Sequence, residues 1–338
     1  MKYQIMVGRL GGLSRTVVLG GLVAVMLCAQ ATSVAQTASS FPNQPIRMVV
    51  PYPPGGPTDI TARVVAAEMS KTIGQNIVID NRPGASGMIG SDFVGKSAPD
   101  GYTILMTAAD THSINPHVYP KIAYDALKDF VGITQIGLLP YALVVNPKVP
   151  AKNIKEFIAL AQSQPGKLTY ASWGVGSSSQ VAMEMLKVMS KLDILHVPFT
   201  GAAPAMTAVL AGQVDAMFVP LSLAVPNADA GKVVAIGLGA PSRFVGAPNM
   251  PTLAEQGVNV YTSPWISILG PAKMPKAAVD AIYKAVNEAV KDPQIIELMI
   301  KGGLQIDVLN PEQISKVLVS EFDRWGATVK AAGIKADQ

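Results

Sequence analysis

The chain has 338 residues, 49% of them hydrophobic, with 27 basic and 23 acidic side chains. That length and apolar content suit about two domains with a sizeable core. Lys2, Arg9 and Arg15 are the only charges before position 36, and without them 24 basic residues stand against 23 acidic ones; so neutral a body excludes nucleic acid as a partner, because phosphate binding needs clustered cations.

The first residues have the layout of an export leader. A basic head precedes the apolar run TVVLGGLVAVMLCAQA at 16–31, and Ser33, Val34 and Ala35 form an A-x-A-like cleavage site. Gly20 and Gly21 interrupt the run, which is shorter than the roughly 20 residues a spanning helix needs. Residues 1–35 are therefore expected to be a cleaved signal peptide, and the mature chain to be exported. Arg9 and Arg15 do not form a twin-arginine pair. Cys28 is the only cysteine and lies in the leader, with Leu27 before it where lipidation favours a small residue. A mature chain without thiols excludes cysteine catalysis and cysteine-held metals, and leaves stability to the core.

After the leader, short β-rich runs alternate with helical patterns. A strand is expected over 46–50, then a helix over 60–73 with Val65, Met69 and Ile73 at four-residue spacing. A strand over 76–79, the turn NRPGASG at 81–87, a helix over 88–97 and a strand over 102–106 follow. These form two βαβ-like units, which build a parallel sheet with helices on its faces. The apolar stretch 130–145 is broken at Pro140. Beyond it the pattern predicts helices over 153–162, 178–191 and 204–211, and strands over 168–172, 194–199, 214–219 and 233–238. A last region carries a strand over 266–269 and helices over 276–291, 294–301 and 311–332. No repeat of solenoid period is present. Two α/β lobes are expected, with the chain crossing between them at 137–146 and 262–271.

Three strand-to-helix loops are candidate binding elements. In VVPYPPGGPTDITAR at 49–63, Pro51, Pro53 and Pro54 stiffen the loop, and Gly55 and Gly56 allow a ligand close to the main chain. Thr58 or Asp59 is placed to cap the next helix. Free N–H groups at a helix start favour an anion; taken alone, the loop reads equally as a rigid turn. The second, YASWGVGSSSQVAMEML at 170–186, sets Ser177, Ser178 and Ser179 beside Gly174 and Gly176. It carries no P-loop, no complete G-x-G-x-x-G and no G-x-S-x-G, and an ordinary Ser-rich cap is its bland reading. The third, at 196–218, turns at Thr200, Gly201 and Ala202, with Pro204 in the first helical turn. Loops at the carboxyl ends of strands are where α/β sheets bind ligands.

Other residues carry weaker signals. His112 and His117 have no carboxylates at metal-ligand spacing, and His112 reads either as lining the cleft or as a packed imidazole. Asp215, between a helix and a strand, reads more simply as a hydrogen-bonding residue behind a loop. Arg82 reads as structural. Tyr52 and Trp173 lie in candidate loops, as core or as pocket walls. No cofactor motif and no metal set is expected.

Taken together these residues resemble one family. The leader, PIRMVVPYPPGGPTDITAR, VIDNRPGASGMIGSDFVGKSAPDGYTILM, THSINPHVY, GSSSQVAMEML, HVPFTGAAPAMTAVLAGQVDAMF, SRFVGAPNMPTLAEQG and FDRWGATVKAAGI occur in this order and are similar to the substrate-binding proteins of tripartite tricarboxylate transporters, the TctC or Bug family. The resemblance covers essentially the whole mature chain. It implies an α/β, two-lobed periplasmic binding protein of type II-like form, each lobe a mixed, mainly parallel sheet flanked by helices. By analogy, lobe 1 would comprise 36–140 and 267–338, and lobe 2 would comprise 141–266. It implies a small carboxylate ligand, a di- or tricarboxylate or an aromatic acid, closed upon by a monomer and delivered to membrane permease subunits. The resemblance puts ligand-lining roles on Tyr52, Pro54, Gly55, Gly56, His112, Asn115, Ser177, Ser178, Ser179, Thr200, Gly201 and Ala202; Asp59, Trp173 and Asp215 are added as candidates from their positions in the sequence. Gln180 stands where the family commonly has a His, so it is expected to alter the distal end of the ligand. It cannot titrate.

Two other readings remain open at this stage. A periplasmic serine hydrolase needs a His–acid pair near Ser177–Ser179, and His196 lies one strand away. A sensory module would present the same bound ligand to a signalling partner.

Overall fold

The computed structural model describes residues 41–336. The leader, its cleavage site and Cys28 lie outside these residues.

Residues 46–50 alternate little and are almost wholly buried, as befits a central strand covered on both faces. This strand, β1 (Ile46–Val50), pairs in parallel with β2 (Ile77–Asn81) and β3 (Thr103–Ala108). Helix α1 (Pro57–Ile73) links β1 to β2 and ends on Gly74 in the left-handed conformation. Helix α2 (Met88–Gly95) links β2 to β3. The sheet continues through β10 (Trp265–Pro271), β4 (Phe130–Leu138) and β11 (Gln305–Leu309), giving the order β11-β4-β10-β3-β1-β2. Strands β10 and β11 run against β3 and β4, so the sheet is mixed.

A second sheet has the order β7-β6-β8-β5-β9. It is built from β5 (Tyr141–Val145), β6 (Thr169–Ser172), β7 (Leu195–Pro198), β8 (Ala216–Pro220) and β9 (Val234–Leu238). Here β6, β7 and β8 are parallel, and β5 is antiparallel to β8 and β9. Helices α4 (Ile154–Ser163), α5 (Ser178–Ser190), α6 (Ala202–Leu210) and α7 (Leu221–Asp229) connect these strands. After β10 come α8 (Lys276–Ala289), α9 (Pro293–Lys301) and the long α10 (Pro311–Ala332). The short helix α3 (Asn115–Val118) follows a π-helical turn at Asp110–Ile114.

Three elements were not expected from the pattern: β11, α7 and the turn running into α3. Helix α7 carries Pro226 inside it, which argues against a helix in sequence. Strand β11 is a half-buried edge strand, without a strong apolar run.

Pro140 breaks the apolar stretch as expected and leaves two strands in different sheets. The chain crosses between sheets at 139–141 and at 262–264, and the two crossings are hydrogen-bonded. Leu139 N–H donates to Pro264 O at 2.8 Å, and Tyr141 N–H to Thr262 O at 3.2 Å. Gly239 seals this junction: a Cβ there would come within 2.0 Å of Thr262 Oγ1. One apolar cluster runs from Ile46, Met48 and Ile104 through Tyr141 and Leu143 to Phe218, so the core is continuous across the crossings.

Candidate functional site

The loops at the carboxyl ends of β2 and β3 on one sheet meet the loop that follows β6 on the other. Ser86, after β2, donates its hydroxyl to Val175 O at 3.2 Å, and Tyr119 OH reaches the same carbonyl at 2.8 Å. Asn115 Nδ2 donates to Ser86 O at 2.9 Å. Asp110, at the end of β3, accepts from the backbone N–H of Ser178 at 2.9 Å and faces the Trp173 indole N–H at 3.5 Å. The two lobes are therefore bridged by hydrogen bonds between these loops.

In the first loop, helix α1 begins two residues earlier than a Thr58 cap, and three earlier than an Asp59 cap, would require. Its N-cap is Gly56, with no side-chain cap. Asp59 is turned back instead. It is buried and accepts from Gly55 N–H at 2.9 Å, Arg63 Nε at 2.9 Å and Asn81 Nδ2 at 2.8 Å. Burial pushes its carboxyl up, and the hydrogen bonds from Arg63, Gly55 and Asn81 more than reverse this, leaving it below its ordinary value. Asp59 thus braces the loop and uses the Gly55 amide. Pro54 and Gly55 are exposed, and Tyr52 is half-buried with its hydroxyl in the interior. Burial, and next the Asp110 charge, hold the Tyr52 phenol well above its usual range.

The second loop differs from its expected role. Ser177 caps α5, accepting from Gln180 N–H and donating to Gly174 O. Ser178 Oγ shares a 2.9 Å hydrogen bond with Tyr141 OH. Ser179 Oγ donates to Phe218 O at 2.6 Å and points back into the sheet. Gln180 accepts from Gly176 N–H at 2.8 Å and lies 3.3 Å from His196 Nδ1. Both ends of its amide are thus engaged inside lobe 2. None of Ser177, Ser178 and Ser179 hydrogen-bonds an imidazole. His196 Nε2 instead pairs with Ser172 Oγ at 2.7 Å, its ring stacks on Tyr170, and burial lowers its pKa to about 4. The hydrolase reading loses the geometry it needed.

The third loop keeps an open helix start. Helix α6 begins at Ala202 behind Gly201, with no side-chain cap, and Thr200 is exposed.

Two expected residues sit elsewhere. His112 is 1% exposed and packs among Tyr124, Phe130 and Trp265, with Nδ1 on Thr111 Oγ1. Burial lowers its pKa to about 3, so it is a packed neutral imidazole of lobe 1. Asp215 accepts from Thr169 N–H and Oγ1 at the amino ends of β6 and β8, the far end of the sheet from the loops.

Asp110, Ser86, Tyr119 and Tyr141 were missed. Asp110 had a signal. It is the only Asp, Glu, Lys or Arg between Asp100 and Lys121 and follows a strand end. It is 5% exposed, and burial raises its pKa against the hydrogen bonds from Ser178 and Trp173.

The chain matches the family model described as the tripartite tricarboxylate transporter family receptor over residues 61–334. Among solved structures, Rpa4515 of R. palustris with adipate is 29% identical at a TM-score of 0.83, covering 88% of this chain and 100% of that one. MatC from Rhodopseudomonas palustris with bound malate is 33% identical at a TM-score of 0.78, covering 86% and 100%. The periplasmic binding protein BugD is 31% identical at 0.79, covering 88% and 100%. Two lobes joined by two crossings, loops gathered at the strand ends and a family model spanning most of the chain lead to one conclusion: this chain belongs to the tripartite tricarboxylate transporter receptor family, as a periplasmic solute-binding protein.

Proposed function

We propose that the protein captures a small carboxylate in the cleft, as a monomer, and hands it to the membrane permease of a tripartite transporter. The observation that carries this reading is the pair of uncapped helix starts. Gly56 before α1 and Gly201 before α6 leave first-turn N–H groups without a side-chain partner, on loops of opposite sheets. Such groups hold an anion by dipoles. A carboxylate taken there needs several hydrogen bonds, because no cation neutralises it. Tyr52, Asn115, Trp173, Ser178, Thr200 and Ala202 would line the rest. The lobes would hinge at 139–141 and 262–264. Adipate and malate in the structural neighbours lend weight to short aliphatic acids.

Calorimetry against succinate, malate, glutarate, adipate and benzoate tests the reading. One of them should bind 1:1, and at about 100 times Kd it should stabilise the protein by about 2.7 kcal/mol. If no acid binds or raises Tm, the reading fails.

A further inference from the structure

The geometry points to Asp110 as a specificity residue that makes the cleft prefer a carboxylate bearing a cationic nitrogen over a dicarboxylate. This rests on the carboxylate-binding reading above. Asp110 comes from lobe 1, but its partners, Ser178 N–H and the Trp173 indole, belong to lobe 2. It therefore bridges the two lobes, beside the proposed site. Neither partner is a cation. The other buried carboxylate near the cleft, Asp59, is paired with Arg63 at 2.9 Å. A buried charge without a counter-ion is costly, and the cost falls sharply once an opposite charge reaches it.

The surroundings of Asp110 suit a cation. An ionised carboxylate has about four acceptor sites, and two are engaged here. Aromatic rings stand around it. Trp173 meets Tyr141 edge-on at 5.3 Å, and the Asp110 charge raises the pKa values of both the Tyr141 and the Tyr52 phenols, after burial. A ligand ammonium reaching Asp110 would meet an opposite charge, whereas a second ligand carboxylate would meet like charge in a poorly solvated site. A ligand amine would form a charge-assisted hydrogen bond to Asp110 while its own carboxylate lies on the open helix starts.

The test uses chains matched in length. Calorimetry compares succinate, glutarate and adipate with 4-aminobutanoate, 5-aminopentanoate and 6-aminohexanoate, on the wild type, Asp110→Asn and Asp110→Ser. Asn keeps an acceptor for Ser178 N–H, so the contact across the seam survives while the charge goes. The wild type should bind an amino acid of one length about 10- to 100-fold more tightly than its dicarboxylate, and both variants should erase or reverse that order. A wild type that prefers the dicarboxylates, or variants that keep the wild-type order, overturns the inference and leaves carboxylate binding standing. If no compound of either series binds, the carboxylate reading falls and the inference with it.

Discussion

Two junctions of this protein look alike in sequence and are built oppositely. Each runs from a strand through a glycine-rich loop into a helix. At the first, Gly56 leaves the start of α1 open, and the nearby carboxylate, Asp59, turns away to brace Gly55 and Asn81. At the second, the start of α5 is filled by the protein itself. Ser177 caps it, Gln180 closes the loop, and Asp110 arrives from the other lobe to take the Ser178 N–H. A glycine-rich loop before a helix thus shows where an anion could dock. Whether the amides are free depends on residues distant in sequence.

The largest expected contrast comes from adding side chains to the two loops. At Gly56 a Cβ would meet only Pro53 O at 3.6 Å, so Gly56→Val should fold normally. Its side chain would crowd the helix start and weaken carboxylate binding by about 100-fold, ~2.7 kcal/mol, in calorimetry. Gly176 has φ +78°, and a Cβ there would lie 3.0 Å from the Tyr119 ring and 3.2 Å from Val118. Gly176→Ala should therefore lower unfolding stability by about 2 kcal/mol in denaturant titrations, through left-handed strain and crowding at the seam. Unchanged affinity in Gly56→Val would remove the first loop from the site and undo the comparison.

Two buried carboxylates sharpen it next, because their signs are opposite. Asp59 is held below its ordinary pKa, so it contributes stability above the unfolded value of about 3.9, and this is lost as pH falls through the lower folded value. Asp59→Asn should cost about 2 kcal/mol at neutral pH, and the gap should close in acid. Asp110 is raised, chiefly by burial, so its favourable contribution is complete only below the unfolded value of about 3.9 and is lost as pH rises through the folded one. The ligand-free Asp110→Asn protein should be more stable than wild type at neutral pH, by about 1 kcal/mol, with the difference vanishing in acid. Melting curves between acid and neutral pH measure both. Gaps of the same sign would mean that Asp110 is not an uncompensated charge.

The order of strands and helices was legible because apolar periodicity and turn residues mark each element locally. Residues 46–50 and 311–332 appear over the ranges their patterns predict. What was missed lacked such a mark. Helix α7 contains Pro226, and β11 is held at an edge by pairing with β4 rather than by its own composition. At the site, the glycines that end loops were legible, since positive φ and close approach leave their trace in residue type. Side-chain direction was not. Ser179 and Gln180 read as ligand contacts, and their side chains hydrogen-bond within lobe 2, while His112 went to an aromatic cluster that only the assembled sheet creates. Asp110 accepts from the backbone N–H of Ser178, 68 residues away, a pairing that no local pattern encodes.

The smallest effect concerns the seam itself, where the loop after β2 meets the second junction. Val175 O accepts from both Ser86 Oγ at 3.2 Å and Tyr119 OH at 2.8 Å, and these two hydroxyls lie 3.0 Å apart. Removing one donor leaves the carbonyl satisfied by the other. Ser86→Ala and Tyr119→Phe should each cost only about 0.5–1 kcal/mol of stability, whereas the double variant strands Val175 O and should cost more than their sum. The neighbouring contact of Val118 and Val181 with Trp325 on α10 is apolar and untouched by either change, so the lobes should stay joined on that side. A double-mutant cycle by chemical denaturation reads the coupling, and simple additivity would show that the two hydroxyls hold the seam independently.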